Sequence, residues 1–409
     1  MSTSSLACRK RRRRLTRRVR GLLAAGLVLV PGLLAPGIHV ARAATLCGGG
    51  GSLGAVSKVM VIWEENRPSA DVLRNDNAPY IDHTLIPQCG LATAFTSRAS
   101  GGHSLSNYVE ELTAQRLEGL GVPGTPAGGQ RNPFCSDGCV YDGDWTIGTP
   151  DALPGGSEGV SRAYFPTPGT SYTNLAHQIG SWKAYGESMP HNCDLANAGS
   201  TTANDAYVPH HIPELYFTDL NGGASFSGTS CASGSALSTR AVPLGSTTNN
   251  NGVYTSGNLN DDVVEGTLPT FSTVTPNLCD DMHSTCTYKA DCGHGLTSSP
   301  TCVGDEWLKG IVPMITSGPD YQSGRLAILI VWDEGEGITS GTPGWPYTCA
   351  AFADVCVPAI VLSQHTAPGT VSDHPYDDWS IVRTVDDVLG KPELGNAGQS
   401  NSLASAFNL

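Results

Sequence analysis

The sequence has few positive charges outside its first residues. Ten of its 24 Lys and Arg residues lie in residues 1–43, which contain no Asp or Glu, whereas all 37 acidic residues follow. The remaining chain has 14 basic against 37 acidic side chains, a formal net charge of −23. Such a balance opposes binding to nucleic-acid phosphates and to anionic membrane surfaces. We therefore expect a soluble, acidic protein without a nucleic-acid partner.

The sequence also lacks an uninterrupted apolar run long enough to cross a bilayer. The apolar stretch Gly21–Pro36 is short and contains prolines. It follows the basic stretch Arg9–Arg20 and precedes Ala41-Arg42-Ala43, which fits a small-x-small cleavage site. This order is typical of an export signal. We predict a cleaved signal peptide over 1–43 and a secreted protein without a transmembrane anchor.

No Cys-x-x-Cys pair is present. Cys8 falls in the predicted signal peptide, and the other 12 of the 13 cysteines form an even number. An exported chain would pair them, so we expect up to six disulfides whose connectivity the sequence does not give. The alternative is zinc bound by Cys135 and Cys139, or by Cys286 and Cys292, but an oxidising compartment disfavours free thiolates.

No linker-like segment separates two hydrophobic cores. We predict one domain over 44–409, with a disulfide-stapled loop over 119–168 and an irregular insertion at about 221–260 that is rich in Gly, Ser, Thr and Asn. Strand-like apolar runs alternate with helical patterns along the rest of the chain. This alternation favours an α/β fold with a largely parallel central sheet flanked by helices.

Two apolar runs end in acidic residues. Lys58–Trp63 is followed by Glu64, Glu65 and Asn66, and Leu326–Trp332 is followed by Asp333 and Glu334. Because ligands collect at the carboxyl ends of strands in open α/β sheets, the two tips would form one oxygen-rich site if the fold joins them. Such a site suits Mg²⁺, Ca²⁺ or Mn²⁺ better than Zn²⁺. The alternative is that these acids are ordinary solvated loop residues.

Several motifs together resemble one family. They occur in the order Glu64-Glu-Asn66, His103-Ser-Leu-Ser-Asn-Tyr108, Ser181-Trp-Lys-Ala-Tyr185 with Glu187, His211-Ile-Pro213 before Tyr216-Phe217, Pro276-Asn277 with Asp281-Met-His283, Gly304-Asp-Glu-Trp-Leu308 and Trp332-Asp-Glu-Gly335. In this order they resemble the acid phosphatase and phospholipase C family of phosphoesterases, which belongs to the alkaline phosphatase superfamily. The resemblance covers about residues 57 to 390 and implies an alkaline-phosphatase-like fold.

The resemblance also implies roles for particular residues. It places one divalent metal ion on Glu65, Asn66, Asp333, Glu334 and the nucleophile. It makes Thr170 the nucleophile, with Ser171 as the fallback if the register slips by one. It gives the phosphoryl oxygens and the leaving group to His103, His211 and His283, and His210 would share in substrate binding.

Physical chemistry supports such a division of roles. A hydroxyl is a poor nucleophile at neutral pH, so Thr170 would need a metal ion or a base to activate it. From its local sequence alone, Thr170 is instead a candidate N-cap of the following helix. The chain departs from the family at Asp378, where a His often stands, and His374 lies four residues upstream. It also departs after Asn66, where Arg67-Pro68-Ser69-Ala70 replaces a more usual His and aromatic pair.

The leading hypothesis is an exported, metal-dependent phosphomonoesterase that forms a covalent phospho-threonine. A phospholipase C acting on phospholipid head groups is the first alternative, although the acidic composition and the lack of an amphipathic membrane segment favour soluble substrates. A catalytically inactive secreted binding protein on the same fold is the second.

Overall fold

The structure is a computed structural model. It describes residues 46–48, 55–97, 104–114, 174–217, 219–223, 230–247, 254–287, 299–335, 349 and 355–409. These belong to one compact unit of the chain, Ala43–Leu409. The predicted signal peptide 1–43, the loop 119–168, His103, Thr170 and Ser171 lie outside the described residues.

A mostly parallel sheet forms the centre of the fold. Its strands follow the order β10-β2-β9-β8-β1-β7-β3-β4, with β11 also pairing with β2, and β9 runs antiparallel to both of its neighbours. A separate antiparallel pair is made by β5 and β6. The strands are β1 (Lys58–Glu64), β2 (Gly90–Thr96), β3 (Trp182–Gly186), β4 (Ala241–Pro243), β5 (Ser246–Thr247), β6 (Tyr254–Ser256), β7 (Phe271–Thr275), β8 (Leu326–Trp332), β9 (Cys356–Leu362), β10 (Thr370–Ser372) and β11 (Tyr376–Asp377).

Helices lie around this sheet, and α4, α8 and α9 contact β3, β8 and β1 respectively. The α-helices are α1 (Ser69–Val72), α2 (Ile86–Gln88), α3 (Ser104–Thr113), α4 (Leu175–Ile179), α5 (Ala236–Arg240), α6 (Asn258–Glu265), α7 (Pro300–Ser317), α8 (Pro319–Gln322), α9 (Asp378–Leu389) and α10 (Ala404–Phe407). A π-helical turn spans Ile81–Leu85, and 3₁₀ turns span Pro209–His211, Pro213–Tyr216 and Ala397–Gln399. The predicted α/β class with a largely parallel sheet is confirmed.

The two central strands explain why their sequences are nearly all apolar. Each residue of β8 is buried, and so is each residue of β1 after Lys58. A strand covered on both faces has no polar side to alternate with, so it reads as a continuous hydrophobic run. The parallel register pairs Lys58 with Leu326 and Glu64 with Trp332. Residues 65 and 333 therefore follow side by side at the carboxyl edge of the sheet.

The described part of the predicted insertion differs from the expectation of irregular structure. Within 221–260, α5 leads directly into β4, which pairs with β3 at the edge of the main sheet. The Gly- and Ser-rich composition hid this strand, because β4 is three residues long and gives too short an apolar pattern to stand out. The stretch therefore extends the sheet.

Disulfides join four described cysteine pairs, namely Cys47–Cys89, Cys193–Cys231, Cys279–Cys286 and Cys349–Cys356. The bond to Cys279 rules out the zinc alternative for Cys286. None of the helices in the described ranges is long and apolar enough to span a membrane.

Candidate active site

Hydrogen bonds join the residues that follow β1 to those that follow β8, although Asn66 and Asp333 lie 267 positions apart in the sequence. The Asn66 backbone N–H donates to Asp333 Oδ1 at 2.9 Å, and Asn66 Nδ2 donates to Glu334 Oε1 at 3.1 Å. Asn66 has a φ of 34°, a left-handed value that asparagine tolerates better than most residues. The sharp turn brings both its amide and its backbone N–H to the acidic pair. Glu65, Asn66, Asp333 and Glu334 thus meet at one edge of the sheet.

The loop after β7 adds the carboxylate of Asp281, which was not among the predicted site residues. The Glu65 backbone N–H donates to the Asp281 carbonyl at 2.8 Å, so this loop is tied to the tip of β1. Asp281 Oδ1 accepts from the His283 and Ser284 backbone N–H groups at 2.9 and 3.3 Å. The sequence signal that could have identified Asp281 is its place in the motif between β7 and His283. The conformation of the loop, which brings Asp281 next to Glu65, depends on tertiary contacts.

Two further contacts fix the conformation of this loop. The Cys279–Cys286 disulfide closes it, with the two Cα atoms 5.4 Å apart. From the other side, Arg67 Nε donates to the Met282 carbonyl at 2.8 Å and Arg67 Nη2 donates to the His283 carbonyl at 3.4 Å. Arg67 follows Asn66 directly, so the same turn that presents the β1 tip also holds the loop that carries His283.

Two of the predicted histidines lie close to Glu65, and a third packs against one of them. His211 Nε2 is 3.4 Å from Glu65 Oε1, and His283 Nδ1 is 3.6 Å from Glu65 Oε2. The His210 ring packs edge-on against His211, with the ring centroids 4.5 Å apart. His210 and His211 are buried, whereas 41% of the His283 side chain is exposed. His283 therefore marks the side on which the cluster meets solvent.

Helix α3 contributes side chains from one of its faces. Asn107 Nδ2 donates to Glu334 Oε2 at 3.0 Å, and the Tyr108 hydroxyl lies 3.5 Å from Glu65 Oε1. The Tyr108 ring also packs near His211, with centroids 5.5 Å apart. Neither residue was among the predicted site residues. The motif that begins at His103 contains both, but which face of the helix meets the acidic tips is decided by packing.

Burial and mutual repulsion dominate the electrostatics of the cluster. The pKa of Glu65 is raised well above its usual value, first by burial and then by the charges of Asp333, Asp281 and Glu334. Burial also raises the pKa of Asp281 to about 8, against the opposing hydrogen bonds from the loop backbone. The pKa of His211 is lowered by burial and by the neighbouring histidines.

A hard cation fits the donor chemistry of this cluster. Glu65 Oε2, Asn66 Oδ1 and Asp281 Oδ2 are buried and accept no hydrogen bond from the part of the chain that the structure describes, so each is an oxygen that could coordinate a cation. Within the described ranges, however, no group of three or more His, Cys, Asp or Glu side chains is arranged to hold a metal ion. The described residues thus supply suitable donors without completing a coordination sphere. Thr170, the remaining predicted ligand, lies outside them.

Asp378, where the family often has a His, lies in the protein interior. Asp378 is the first residue of α9 and is buried, and its charge contributes to raising the pKa of Glu111 on α3 after burial itself. His374 is exposed. Asp378 therefore faces the α3 side of the fold, and its neighbour Asp377 caps α9 by accepting from the Trp379 and Ser380 backbone N–H groups.

The family of this chain follows from comparison with known sequences. Residues 149–391 match the Phosphoesterase family, which is more than half of the chain. The chain therefore belongs to the Phosphoesterase family, a family of hydrolases, and the predicted family is confirmed. A search of curated proteins finds no match.

Solved structures with a similar course of the chain have low sequence identity. A protein in the alkaline phosphatase superfamily from Vibrio parahaemolyticus is 11% identical, with a TM-score of 0.45, over 87% of this chain and 72% of its own. The PsFucS1 sulfatase from Pseudoalteromonas sp. is 12% identical, with a TM-score of 0.42, over 83% of this chain and 68% of its own.

Proposed function

We propose that this protein is an exported, metal-dependent phosphomonoesterase that works through a covalent phospho-threonine at Thr170. The observation that carries the proposal is the meeting of the β1 tip, the β8 tip and the β7 loop around Glu65, with two histidines in contact with it. Family membership supports hydrolysis of a phosphoric ester.

The metal ion would be held by Glu65, Asn66, Asp333 and Glu334 together with the Thr170 hydroxyl. A bound divalent ion in this place lowers the pKa of the hydroxyl and neutralises charge on the phosphoryl oxygens. The raised pKa of Glu65 fits this role, because carboxylates that repel one another in the metal-free protein gain most from a cation. Mg²⁺, Ca²⁺ and Mn²⁺ suit the oxygen donors best, and Zn²⁺ is the remaining candidate.

The protein's own groups would then carry the transfer. Thr170 Oγ, after releasing its proton to solvent, would attack phosphorus as the ester P–O bond breaks, and the departing alkoxide would take a proton from protonated His283. A water would then attack the phospho-threonine and give a proton back to His283, and the Thr170 oxygen would take up a proton from solvent as phosphate leaves. His210 and His211, with His103, would bind phosphoryl oxygens. His283 suits the leaving group because its side chain borders solvent, where an alcohol can depart.

Substrate class separates this proposal from its first alternative. A phospholipase C would cleave the head group from phosphatidylcholine in vesicles, whereas a phosphomonoesterase would hydrolyse a soluble monoester such as p-nitrophenyl phosphate. The strongly acidic composition of residues 44–409 favours the soluble substrate. Activity on vesicles alone would reverse this order.

Variants of the proposed nucleophile and of one ligand test the mechanism. Thr170→Ala and Asp333→Ala should each abolish hydrolysis, and brief acid quenching of the wild type should trap a phosphorylated peptide containing Thr170. His374→Ala, at an exposed position outside the cluster, serves as the control with full activity. Hydrolysis that is unchanged in both variants would come from another component of the preparation, and it would support the inactive binding protein instead.

Export is part of the proposal. The disulfides described above agree with an oxidising compartment. Sequencing the amino terminus of the secreted protein should give Ala44 as the first residue. A mature chain that retains Met1 would contradict the predicted signal peptide.

A further inference from the structure

Glu334 is held on both of its oxygens by amide groups from different elements. Asn66 Nδ2 donates to Glu334 Oε1 at 3.1 Å, and Asn107 Nδ2 donates to Glu334 Oε2 at 3.0 Å. Asn66 belongs to the turn after β1, whereas Asn107 lies on α3. Because a carboxylate only accepts hydrogen bonds, the nitrogen of each amide must face it.

The carbonyl oxygens of the same two side-chain amides, Asn66 Oδ1 and Asn107 Oδ1, are buried in an unusual state of hydrogen bonding. Asn107 is 1% exposed, and its Oδ1 accepts no hydrogen bond from the described residues, as is also true of Asn66 Oδ1. Buried polar oxygens are nearly always paired in folded proteins. Two such oxygens on the two residues that hold one carboxylate indicate a place where a ligand or a water completes the bonding.

The position of Asn107 on its helix supports a role in the cluster. Tyr108, the next residue, contacts Glu65, and Ser104, three residues earlier, forms a side-chain hydrogen bond to Glu65. Residues three and four apart share a helix face, so one face of α3 reaches both acidic tips. The helix is itself braced because it packs against α9.

We propose that Asn107 is a positioning residue that fixes the Glu334 carboxylate for cation binding. The inference rests on the proposed function, since it assigns Asn107 to the support of the same metal site. Truncation of the amide would remove the hydrogen bond to Glu334 Oε2 and let the carboxylate turn about its remaining contact with Asn66, although Glu65, Asn66 and Asp333 would keep their positions. The expected effect is therefore weakened binding of the cation.

Measurement of Mn²⁺ affinity tests this inference without relying on activity. The probe is Mn²⁺ alone, titrated by calorimetry into the full mature protein after removal of metal by chelation. Asn107→Ala should bind Mn²⁺ about 10- to 100-fold more weakly than the wild type, the usual effect of losing a group that supports a metal ligand. Asn107→Leu keeps the approximate volume and should show the same loss, which covers the case in which the alanine variant does not fold.

A variant on the same helix gives the matched control. Val109→Ala also removes buried side-chain atoms from α3, but Val109 belongs to the hydrophobic core. It should bind Mn²⁺ within about twofold of the wild type, on the reasoning that a helix defect alone does not rotate Glu334. Equal weakening in Val109→Ala would assign the effect to the helix and overturn the role of Asn107.

The two proposals fail in different ways. If the wild type binds Mn²⁺ and both Asn107 variants bind it equally well, the positioning role of Asn107 is wrong and the proposed metal site stands. If the wild type shows no heat of Mn²⁺ binding and no metal-dependent rise in its melting temperature, the metal site itself is wrong, and the role of Asn107 falls with it.

Discussion

The two ends of the β1 and β8 pair handle buried acidic side chains in opposite ways. At the amino end, buried Asp320 receives Lys58 Nζ at 2.6 Å and Arg325 Nη2 at 2.8 Å. At the carboxyl end, buried Glu65 contacts His211 and His283, and its pKa is raised by burial and by other carboxylates. The first end is neutralised by the chain itself. At the carboxyl end several carboxylates lie together, and among the described residues no Lys or Arg forms an ion pair with Glu65.

This difference separates a structural use of charge from a functional one. A buried acid paired with two cations anchors the start of a strand, since the helix-borne Asp320 links Lys58 of β1 to Arg325 just before β8. Buried acids left to repel one another destabilise the fold, so their presence at a strand tip indicates a ligand that compensates them. The comparison predicts opposite outcomes for equivalent substitutions at the two ends.

The largest effect is expected for Glu65→Gln. Hydrolysis should fall by about 1000-fold or more, because a lost metal ligand removes several kcal/mol of transition-state stabilisation. The metal-free variant should melt at the same temperature as the metal-free wild type or higher, since the amide removes a repelled carboxylate. Steady-state kinetics and calorimetry check the two expectations. If Glu65→Gln keeps its activity, the acidic residues at the carboxyl end do not have the functional role that distinguishes them from Asp320.

Glu214, a buried acid outside the cluster, shows what burial without neighbouring carboxylates does to the pKa of a carboxyl group. Glu214 is buried, accepts from the Thr273 hydroxyl at 2.7 Å, and has a pKa raised by burial from 4.5 to about 7. Its folded state therefore binds a proton more tightly than its unfolded state. The resulting stabilisation is complete below about pH 4.5 and is lost as the pH rises through about 7.

The expected difference can be measured from urea unfolding between pH 4 and 8. The free energy of unfolding of the wild type should fall relative to Glu214→Gln by on the order of 3 kcal/mol over this range. Glu265→Gln, on an exposed position of α6, is the control and should show the wild-type slope. A parallel course of the wild type and Glu214→Gln would show that Glu214 titrates normally.

A smaller loss of stability, without loss of activity, is expected for Asp320→Asn. The change removes the charge that pairs with Lys58 and Arg325, and both of these partners retain some exposure to solvent. The free energy of unfolding should fall by on the order of 2 kcal/mol. Urea unfolding and kcat measured at a temperature where the variant is folded distinguish the two quantities. Lost hydrolysis in a folded variant would contradict a purely structural role.

The smallest effect is expected for Arg67→Ala. Arg67 donates to the Met282 and His283 carbonyls, so its loss should loosen the loop that carries His283. A decrease of kcat by about tenfold corresponds to one charge-assisted hydrogen bond. Arg67→Lys should restore part of it, whereas Lys309→Ala, an exposed change on α7, should leave kcat unchanged. An unaltered kcat in Arg67→Ala would show that the disulfide and the hydrogen bond to Glu65 hold the loop without Arg67.

Much of the framework was accessible from short sequence patterns. The runs that became β1 and β8 were recognisable because strands buried on both faces must be apolar throughout, and each ended where polar residues began. The end of α9 also has a local sequence signal, since Gly390 adopts the left-handed conformation with φ of 62° that glycine favours after a helix. The order of the motifs indicated the phosphoesterase family, which the sequence comparison confirmed.

The contacts around the acidic tips were less accessible. Asp281 reaches Glu65 because a loop closed by a disulfide folds back onto β1, and Asn107 reaches Glu334 because of the way α3 packs. Neither arrangement has a local signature, since each joins residues more than 200 positions apart. Asp305 is a third residue whose contact has no local signature. It lies within α7, but its carboxylate accepts hydrogen bonds from the Tyr80 and Ile81 backbone N–H groups at the start of the π-helical turn Ile81–Leu85.

The sequence by itself determined the central strands, the acidic residues at their ends and the family, because these depend on the period of apolar residues and on short motifs. Only the tertiary structure decided that Asn66 bonds to Asp333 and Glu334, that Asp281 and Asn107 join them, and that Asp320 at the other end is neutralised. The physical reason is that charge interactions depend on distance and burial in space, and the parallel register of β1 with β8 sets both.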